Sequence, residues 1–206
     1  MTPSIATAGV PTWEEVYAVT QKCSSPHTLF YAEECRAYYG ILSKLQPGNV
    51  IVEIGLQFGR SSTIALQMAK ALDLEYHGFD FFEQPPEAGP AWLAQADGLI
   101  NRLDYDLHVM NTMEPQAAAV FATLPTIHAA LIDGDHTRAG VLNDCGLVLP
   151  RVPIGGHVFF HDYGNPALPE VEPNVREYMQ MVEAPAGRLW RLLGVYMSLA
   201  VYQREA

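Results

Sequence analysis

The stretch Val50-Ile-Val-Glu-Ile-Gly-Leu-Gln-Phe-Gly59 decides the predicted fold. Its first five residues are mostly β-branched and nearly all apolar, which is typical of a strand buried on both faces of a parallel sheet. Gly55 and Gly59 predict a tight turn, and the segment from Ser62 to Leu72 has the apolar spacing of a helix that begins at a Ser/Thr cap. The stretch therefore predicts the strand, turn and helix start of a βαβ unit.

The alternation of strands and helices continues along the chain. Further strands are predicted at 75–80, 106–110, 127–132 and 156–160, with helical segments between most of them. This order predicts an α/β fold, namely a Rossmann-like, doubly wound and mostly parallel sheet with helices on both sides.

The two ends of the chain depart from this alternation. Helical spacing at 13–23 and 31–45 predicts an N-terminal helical cap, residues 1–45, before a domain spanning 46–206. Near the other end, strand-like segments at 188–193 and 196–202, with Gly194 between them, predict an antiparallel strand pair at one edge of the sheet. We expect one globular domain overall, because 206 residues suit a single core.

Composition excludes several classes of function. The chain is 49% hydrophobic and carries 12 Lys+Arg against 23 Asp+Glu, so its net charge of −11 argues against binding to nucleic acid. The sequence shows neither a signal-peptide pattern nor an apolar run near the about 18 residues of a membrane span, so we expect a cytoplasmic protein without a membrane partner. Cys23, Cys35 and Cys145 are widely spaced, which predicts free thiols rather than disulfides or a zinc site.

Polar residues collect where the predicted strands end. In open parallel sheets, ligands bind at the carboxyl ends of the strands, near the point where the strand order reverses. Five strand ends carry titratable or hydrogen-bonding groups: Glu53, Asp80, Asn111 with Thr112, Asp133, and His161 with Asp162. This distribution predicts a ligand site at that edge of the sheet.

Two acids point to a nucleoside. Asp80 follows Gly59 by 21 positions, near the place where an acid binds the ribose hydroxyls in nucleotide-binding βαβ units. Glu53 lies inside a buried strand, where a carboxylate is costly unless a donor or cation partners it. The turn lacks the third glycine of the dinucleotide fingerprint, so we expect a nucleoside cofactor without a pyrophosphate.

The segment Asp133-Gly-Asp-His136 admits more than one interpretation. Asp133-Gly134 is also a common turn, and Asp135 alone would serve to start the helix near Thr137. For Asp144, a solvated helix face or an ion pair with Arg138 is a sufficient explanation.

Four motifs together resemble the class I S-adenosylmethionine (SAM)-dependent methyltransferases. They are Val52-Glu-Ile-Gly-Leu-Gln-Phe-Gly-Arg-Ser-Ser62, Gly78-Phe-Asp80, Ile132-Asp-Gly-Asp-His136 and Gly155-Gly-His-Val-Phe-Phe-His-Asp-Tyr163. The resemblance covers roughly residues 30–205 and is strongest to the small-molecule O-methyltransferases, which include macrocin-type and catechol-type enzymes. It makes 46–206 the SAM-binding domain.

The resemblance implies a set of cofactor contacts. Residues expected to bind the cofactor are Glu53, Gly55 and Gly59 around the methionine part, Ser61 at the methionine carboxylate, Asp80 at the ribose, and Thr112 and Met113 near the adenosine.

Metal-dependent members of that group imply a second set of residues. Their divalent cation would fall here on Asp133, His161 and Asp162. Oxygen ligands suit Mg²⁺, whereas the imidazole of His161 shifts the preference toward Mn, Fe or Zn. Two alternatives stay open, namely that His161 acts as a base and that the site binds no metal. His136 stands where catechol-type enzymes have a lysine base, and an imidazole accepts protons near neutral pH.

The expected function is methyl transfer from SAM to a hydroxyl of a small molecule or natural product, with Asp133 and His136 as catalytic residues. N- or C-methylation, the identity of the acceptor and assembly as a homodimer stay open. Three alternatives also remain: a SAM-fold protein with a redox metal that acts as a hydroxylase or other non-methylating enzyme, a metal-dependent hydrolase, and a binding module without catalysis.

The Pro-rich and acidic stretch at 83–98 is expected to be a lid or a surface excursion.

Overall fold

The computed structural model describes residues 9–23, 30–57, 59–81, 105–183 and 189–206, so the 83–98 stretch lies outside the described residues. The helices are α1 (Trp13–Cys23), α2 (Ala32–Leu42), α3 (Arg60–Leu72), α4 (Pro115–Thr123), α5 (Arg138–Val148) and α6 (Val171–Glu183), with a 3-10 turn at Leu149–Arg151. The strands are β1 (Val50–Ile54), β2 (Glu75–Asp80), β3 (Tyr105–Val109), β4 (Ala129–Ile132), β5 (His157–Phe160), β6 (Trp190–Tyr196) and β7 (Leu199–Arg204).

The strands form one mixed sheet in the order β3-β2-β1-β4-β5-β7-β6. Strands β1 to β5 are parallel, β7 is antiparallel to β5, and β6 is antiparallel to β7. The predicted fold is confirmed. From β1 the chain first adds strands on one side and then returns to add β4 on the other, so the strand order reverses between β1 and β4.

The antiparallel pair differs from the prediction in one detail. Gly194 lies inside β6, where the pairing with β7 shifts register, and the turn falls at Met197 and Ser198. Most residues of β6 are exposed, and β-bulges are common in edge strands such as this one, so the register shift falls where few core contacts depend on it.

Each face of the sheet carries its own apolar layer. Helices α1 to α3 pack on one face with Ile51, Leu131 and Phe159, while α4 to α6 pack on the other with Ile132 and Phe160. This double coverage is why β1 and β4 are buried along their whole length. The helical cap therefore shares a core with the sheet.

Cys35 lies in the first layer and Cys145 in the second, and both are buried free thiols, as predicted. The side chain of Cys23 lies outside the described set. Within the described ranges, no helix has the length and apolar character needed to span a bilayer.

Candidate functional site

The carboxyl ends of β1, β2, β4 and β5 border two adjoining cavities. The larger has a volume of about 620 Å³ and reaches from the turn after β1 past the end of β2. The smaller has a volume of about 240 Å³ and lies over the ends of β4 and β5, against the start of α3. Asp133, Gly134, His136 and Leu168 line both cavities and thus form their common wall.

The turn after β1 is held by its neighbours on both sides. Gly55 has a φ of +84°, and a Cβ there would overlap the carbonyl oxygen of Asp133, so only glycine lets the end of β4 approach this closely. On the other side, the backbone N–H groups of Leu56 and Gln57 donate to Oδ2 of Asp80 at 2.7 and 2.9 Å. Asp80 therefore stands at the rim of the larger cavity and also orders the turn.

Glu53 lies beneath this turn and lines neither cavity. Its fully buried carboxylate accepts hydrogen bonds from the hydroxyls of Ser61 and Tyr76 at 2.5 and 2.6 Å. Burial outweighs these donors and raises the pKa of Glu53 to about 7. The donors that a buried acid requires thus come from the protein. The Ser61 hydroxyl points inward, although Ser61 itself borders the smaller cavity.

The remaining predicted cofactor residues line a cavity. Gly55, Asp80, Thr112 and Met113 line the larger one, and Gly59 lines the smaller one. Phe81 and Met113 are 49% and 43% exposed and give the larger cavity apolar surface beside the polar Asp80, a combination usual in small-molecule sites.

Three side chains on the common wall and beside it converge. Nε2 of His136 lies 3.3 Å from Oδ1 of Asp133 and 3.3 Å from Oδ2 of Asp162, and one ligand atom from each of the three lies within 4.8 Å of the others. Asp162 adopts a left-handed φ of 56°, and Asn165 donates to its Oδ1 at 2.6 Å. Two carboxylates and an imidazole at this spacing form a donor set that fits a divalent cation.

His161 lies behind this trio and is 4% exposed. Its Nδ1 is 3.1 Å from Oδ1 of Asp133 and 3.4 Å from Oδ2 of Asp162, and its Nε2 is 3.4 Å from Oε2 of Glu34. Burial alone lowers the pKa of His161, but the charge of Asp133 and the surrounding hydrogen bonds raise it to about 12. The converging group thus includes His136, which the resemblance implied as a base, while His161, which it implied as a metal ligand, lies behind the group.

The same contacts set the charge of the trio. Burial raises the pKa of Asp133, but the charge of His161 and the hydrogen bonds from both histidines outweigh it, so the pKa is lowered. The hydrogen bond with Asp133 raises the pKa of His136 above its usual range, against the effect of burial. Burial likewise raises the pKa of Asp162, but hydrogen bonds with His161 and Asn165 outweigh it and lower that pKa, so the contacts within the group favour the anionic form of both aspartates.

Two acids near the trio have different roles. Asp135 is exposed and accepts hydrogen bonds from the backbone and hydroxyl of Thr137, the N-cap of α5, so it starts the helix, as one sequence interpretation had it. For Asp144 the prediction was wrong, because this residue is fully buried and Arg138 pairs with Glu177 instead.

Asp144 lies directly under the loop that follows β4, residues 133–137. A Cβ on Gly134 would come within 2.7 Å of its Oδ2, and burial raises the pKa of Asp144 to about 6. The amide of Asn143 bridges Oδ1 of Asp144 and the carbonyl oxygen of Thr112. These two residues therefore connect the loop at Gly134 to the segment at Thr112.

Sequence reasoning also missed Glu34 and Tyr76. Glu34 stands beside exposed Glu33 in the same helix turn, and no local pattern distinguishes the buried acid from the exposed one. Tyr76 alternates with Glu75 along β2 like any buried strand residue, so its hydroxyl contact with Glu53 becomes visible only in the sheet.

Many solved structures resemble this fold, among them NovP, CalS11 and MycE. The O-methyltransferase NovP is 15% identical with a TM-score of 0.67, over 88% of this chain and 84% of that one. CalS11, a TDP-rhamnose 3'-O-methyltransferase of calicheamicin biosynthesis, is 21% identical with a TM-score of 0.63, over 98% and 99%. MycE, a methyltransferase of the mycinamycin pathway in complex with Mg and SAH, is 13% identical with a TM-score of 0.61, over 92% of this chain and 54% of that one.

Sequence comparison gives a family but no individual relative. Comparison with curated proteins finds no match. A family model described as a methyltransferase domain matches residues 52–163, more than half of the chain, and this range runs from β1 through the loop after β4 to just past the end of β5. The chain therefore belongs to the methyltransferase domain family and has the Rossmann-like fold of the class I SAM-dependent methyltransferases.

Proposed function

We propose that the protein transfers the methyl group of SAM to a hydroxyl oxygen of a small molecule. The observation that carries the proposal is the common wall of the two cavities. The larger cavity has the size and the mixed lining of a nucleoside site, and it meets the smaller one at Asp133 and His136. A donor in one cavity and an acceptor in the other would therefore react beside an acid–imidazole cluster.

The larger cavity fits the adenosine part of SAM. Asp80 offers carboxylate oxygens at the end of β2, which suit the ribose hydroxyls, while Phe81 and Met113 offer apolar surface for a flat ring. The methionine part would extend past Gly55 and Gly59 toward the smaller cavity. The inward bond of Ser61 leaves the backbone N–H groups at the start of α3 as the donors for the methionine carboxylate.

The trio fits a divalent cation, and we assign Asp133 and Asp162 as its ligands. Bound SAM supplies an electrophilic methyl group on a positively charged sulfur, and a bound divalent cation supplies polarisation of the acceptor hydroxyl. When Asp133 and Asp162 hold a cation, the carboxylate oxygens that His136 faces would be occupied, and Nε2 of His136 would then be free to accept the hydroxyl proton. In the overall reaction the C–S bond breaks, a C–O bond forms and the proton passes to His136. His161 then remains behind the carboxylates and orients them.

Several lines of evidence favour this proposal over the alternatives. The family match argues for methyl transfer and against a hydrolase. NovP and CalS11 are named O-methyltransferases, and MycE was solved with Mg and SAH, which supports a hydroxyl acceptor and a cation by analogy. The net charge of −11 also suits a cationic donor better than an anionic one.

The first test is calorimetric titration with S-adenosylhomocysteine. Wild-type protein is expected to bind, and Asp80→Ala to bind about 10- to 100-fold more weakly, because a hydrogen bond to a charged group is lost. The control is Asp106→Ala, which removes an exposed acid from the neighbouring strand. The absence of binding by the wild type would contradict the proposal.

The second test assigns the chemistry, using isotope-labelled SAM and a panel of sugars, phenols and other hydroxylated acceptors. His136→Ala is expected to lower turnover about 100-fold or more at unchanged S-adenosylhomocysteine affinity. Asp133→Asn and Asp162→Asn are expected to abolish stimulation by Mg²⁺ or Mn²⁺. Activity that survives exhaustive chelation would remove the cation from the mechanism, and an acceptor product without an added methyl group would favour a non-methylating enzyme.

A further inference from the structure

Glu34 brings the N-terminal helical cap into contact with the site. It is fully buried on α2, and its Oε2 accepts a hydrogen bond from the backbone N–H of Tyr31 at 2.7 Å. Its Oε1 accepts from the backbone N–H and the hydroxyl of Ser198, in the turn between β6 and β7, at 2.9 and 2.8 Å. One carboxylate thus joins the start of α2 to the edge hairpin, and it lies 3.4 Å from Nε2 of His161.

These bonds and the packing around them do not explain why a carboxylate stands at position 34. An uncharged residue of similar size would fill the same space, and burying a charge is costly unless an opposite charge faces it. The group that faces Glu34 inside the protein is the imidazole of His161, whose other nitrogen faces Asp133 and Asp162. The ring therefore lies between carboxylate oxygens on both sides, 3.4 Å from Glu34 and 3.1 Å from Asp133.

The surroundings give the ring one orientation. The ring of Phe30 lies against that of His161, with the centroids 5.2 Å apart, and Nε2 lies 3.4 Å from Oε2 of Glu34. Among the described residues, Glu34 provides the carboxylate that faces this side of the ring. Nδ1 is thereby directed at the oxygens of Asp133 and Asp162 that also face His136.

We infer that Glu34 is a positioning residue, which fixes the imidazole of His161 and, through it, the carboxylates of Asp133 and Asp162 at the methyl-transfer site. This inference rests on the proposed function. It makes the helical cap a part of the catalytic apparatus rather than only a layer of the core. Partners of this kind, one contact removed from a metal or reacting group, typically contribute about 10- to 100-fold to affinity or activity.

The test compares Glu34→Gln with Glu33→Gln. The first keeps the size of the side chain and removes the charge facing His161, while the second makes the same change at the exposed neighbour. For Glu34→Gln we expect turnover and Mn²⁺ affinity about 10-fold lower, with the KM for SAM and the affinity for S-adenosylhomocysteine unchanged, because Asp80 and its cavity are not touched. Glu33→Gln should match the wild type in all four measurements.

A measurement on the ligand-free protein separates this inference from the proposed function. The ring ¹⁵N chemical shifts of His161, assigned by their loss in His161→Asn, should change in Glu34→Gln and not in Glu33→Gln. If Glu34→Gln does not fold, Glu34→Asp replaces it, since the shorter side chain withdraws the carboxylate from His161 and keeps the charge. Unchanged His161 shifts together with wild-type turnover would overturn the inference, whereas failure to bind S-adenosylhomocysteine would overturn only the proposed function.

Discussion

Replacing Glu53 by Gln should make the protein more stable, and the gain should grow with pH. The carboxylate of Glu53 is buried between the hydroxyls of Ser61 and Tyr76, and burial raises its pKa from 4.5 to about 7. Glutamine keeps the shape of the side chain and, like the protonated acid, offers both a donor and an acceptor to the two hydroxyls. Each hydroxyl can rotate to donate or to accept, so the variant mimics the protonated state.

The sign and size of the change in the free energy of unfolding follow from the pKa of Glu53 in the unfolded and the folded chain. Below pH 4.5 the acid is protonated in both the folded and the unfolded chain, and its ionisation costs nothing. As the pH rises from 4.5 to about 7, the unfolded chain loses this proton while the folded chain retains it, so the free energy of unfolding falls. At about 1.4 kcal/mol per pH unit, the loss reaches about 3 kcal/mol by pH 8. For a chain of this length, that corresponds to roughly 6–12 °C in Tm.

The assay is thermal unfolding, followed by circular dichroism, of the wild type and Glu53→Gln from pH 4 to pH 8. Other titrating groups occur in both proteins and cancel in the difference. The difference in Tm should be smallest at pH 4 and should increase until about pH 7. Tyr76→Phe removes a hydrogen bond that lowers the pKa of Glu53, so in this background the increase should extend to higher pH. A difference that does not change with pH would refute the reasoning.

Three further outcomes follow from the same contacts. Gly55→Ala should destabilise the fold by about 3 kcal/mol or prevent folding, measured as urea unfolding or soluble yield, because its Cβ would overlap the carbonyl of Asp133 at a positive φ; a stable variant would show that the loop can move aside. Asp144→Asn should be more stable than the wild type above pH 7 and by less at pH 4, since burial raises the pKa of Asp144 to about 6; the opposite trend in Tm would count against this burial effect. Arg138→Ala should leave the Tm unchanged, because its ion pair with Glu177 is exposed and screened by solvent. A clear drop in Tm would show that this ion pair stabilises the packing of α5 against α6.

Much of the site could be read from local patterns. The apolar run at Val50–Ile54, the glycines after it and Asp80 at the end of the next strand mark a nucleoside-binding βαβ unit, because strand periodicity and turn chemistry depend on neighbours in the chain. The acids at the strand ends were found for the same reason. Parallel strands present their carboxyl ends at one edge, so any polar residue that ends a strand is brought to the same surface.

The different surroundings of His136 and His161 show where local patterns stop. Both histidines lie beside acids in the sequence and both border the smaller cavity, and nothing in the spacing says which imidazole is the more buried. The structure places His161 at the end of β5 under Phe30, with Glu34 behind it, and places His136 on the loop over both cavities. Packing of α2 against the end of β5 therefore determines which histidine is buried.

The sequence by itself determined the fold class, the family and the edge of the sheet that carries the site, because these depend on periodicity and on motifs whose parts are close together in the chain. Only the tertiary structure decided that Glu53 is bound by Ser61 and Tyr76, that Asp144 is buried under Gly134, and that Glu34 faces His161. These contacts join residues up to 127 positions apart, as Glu34 and His161 are. An acid has the same local signature whether it is solvated or buried, so its partner is defined only when the helices pack on the sheet.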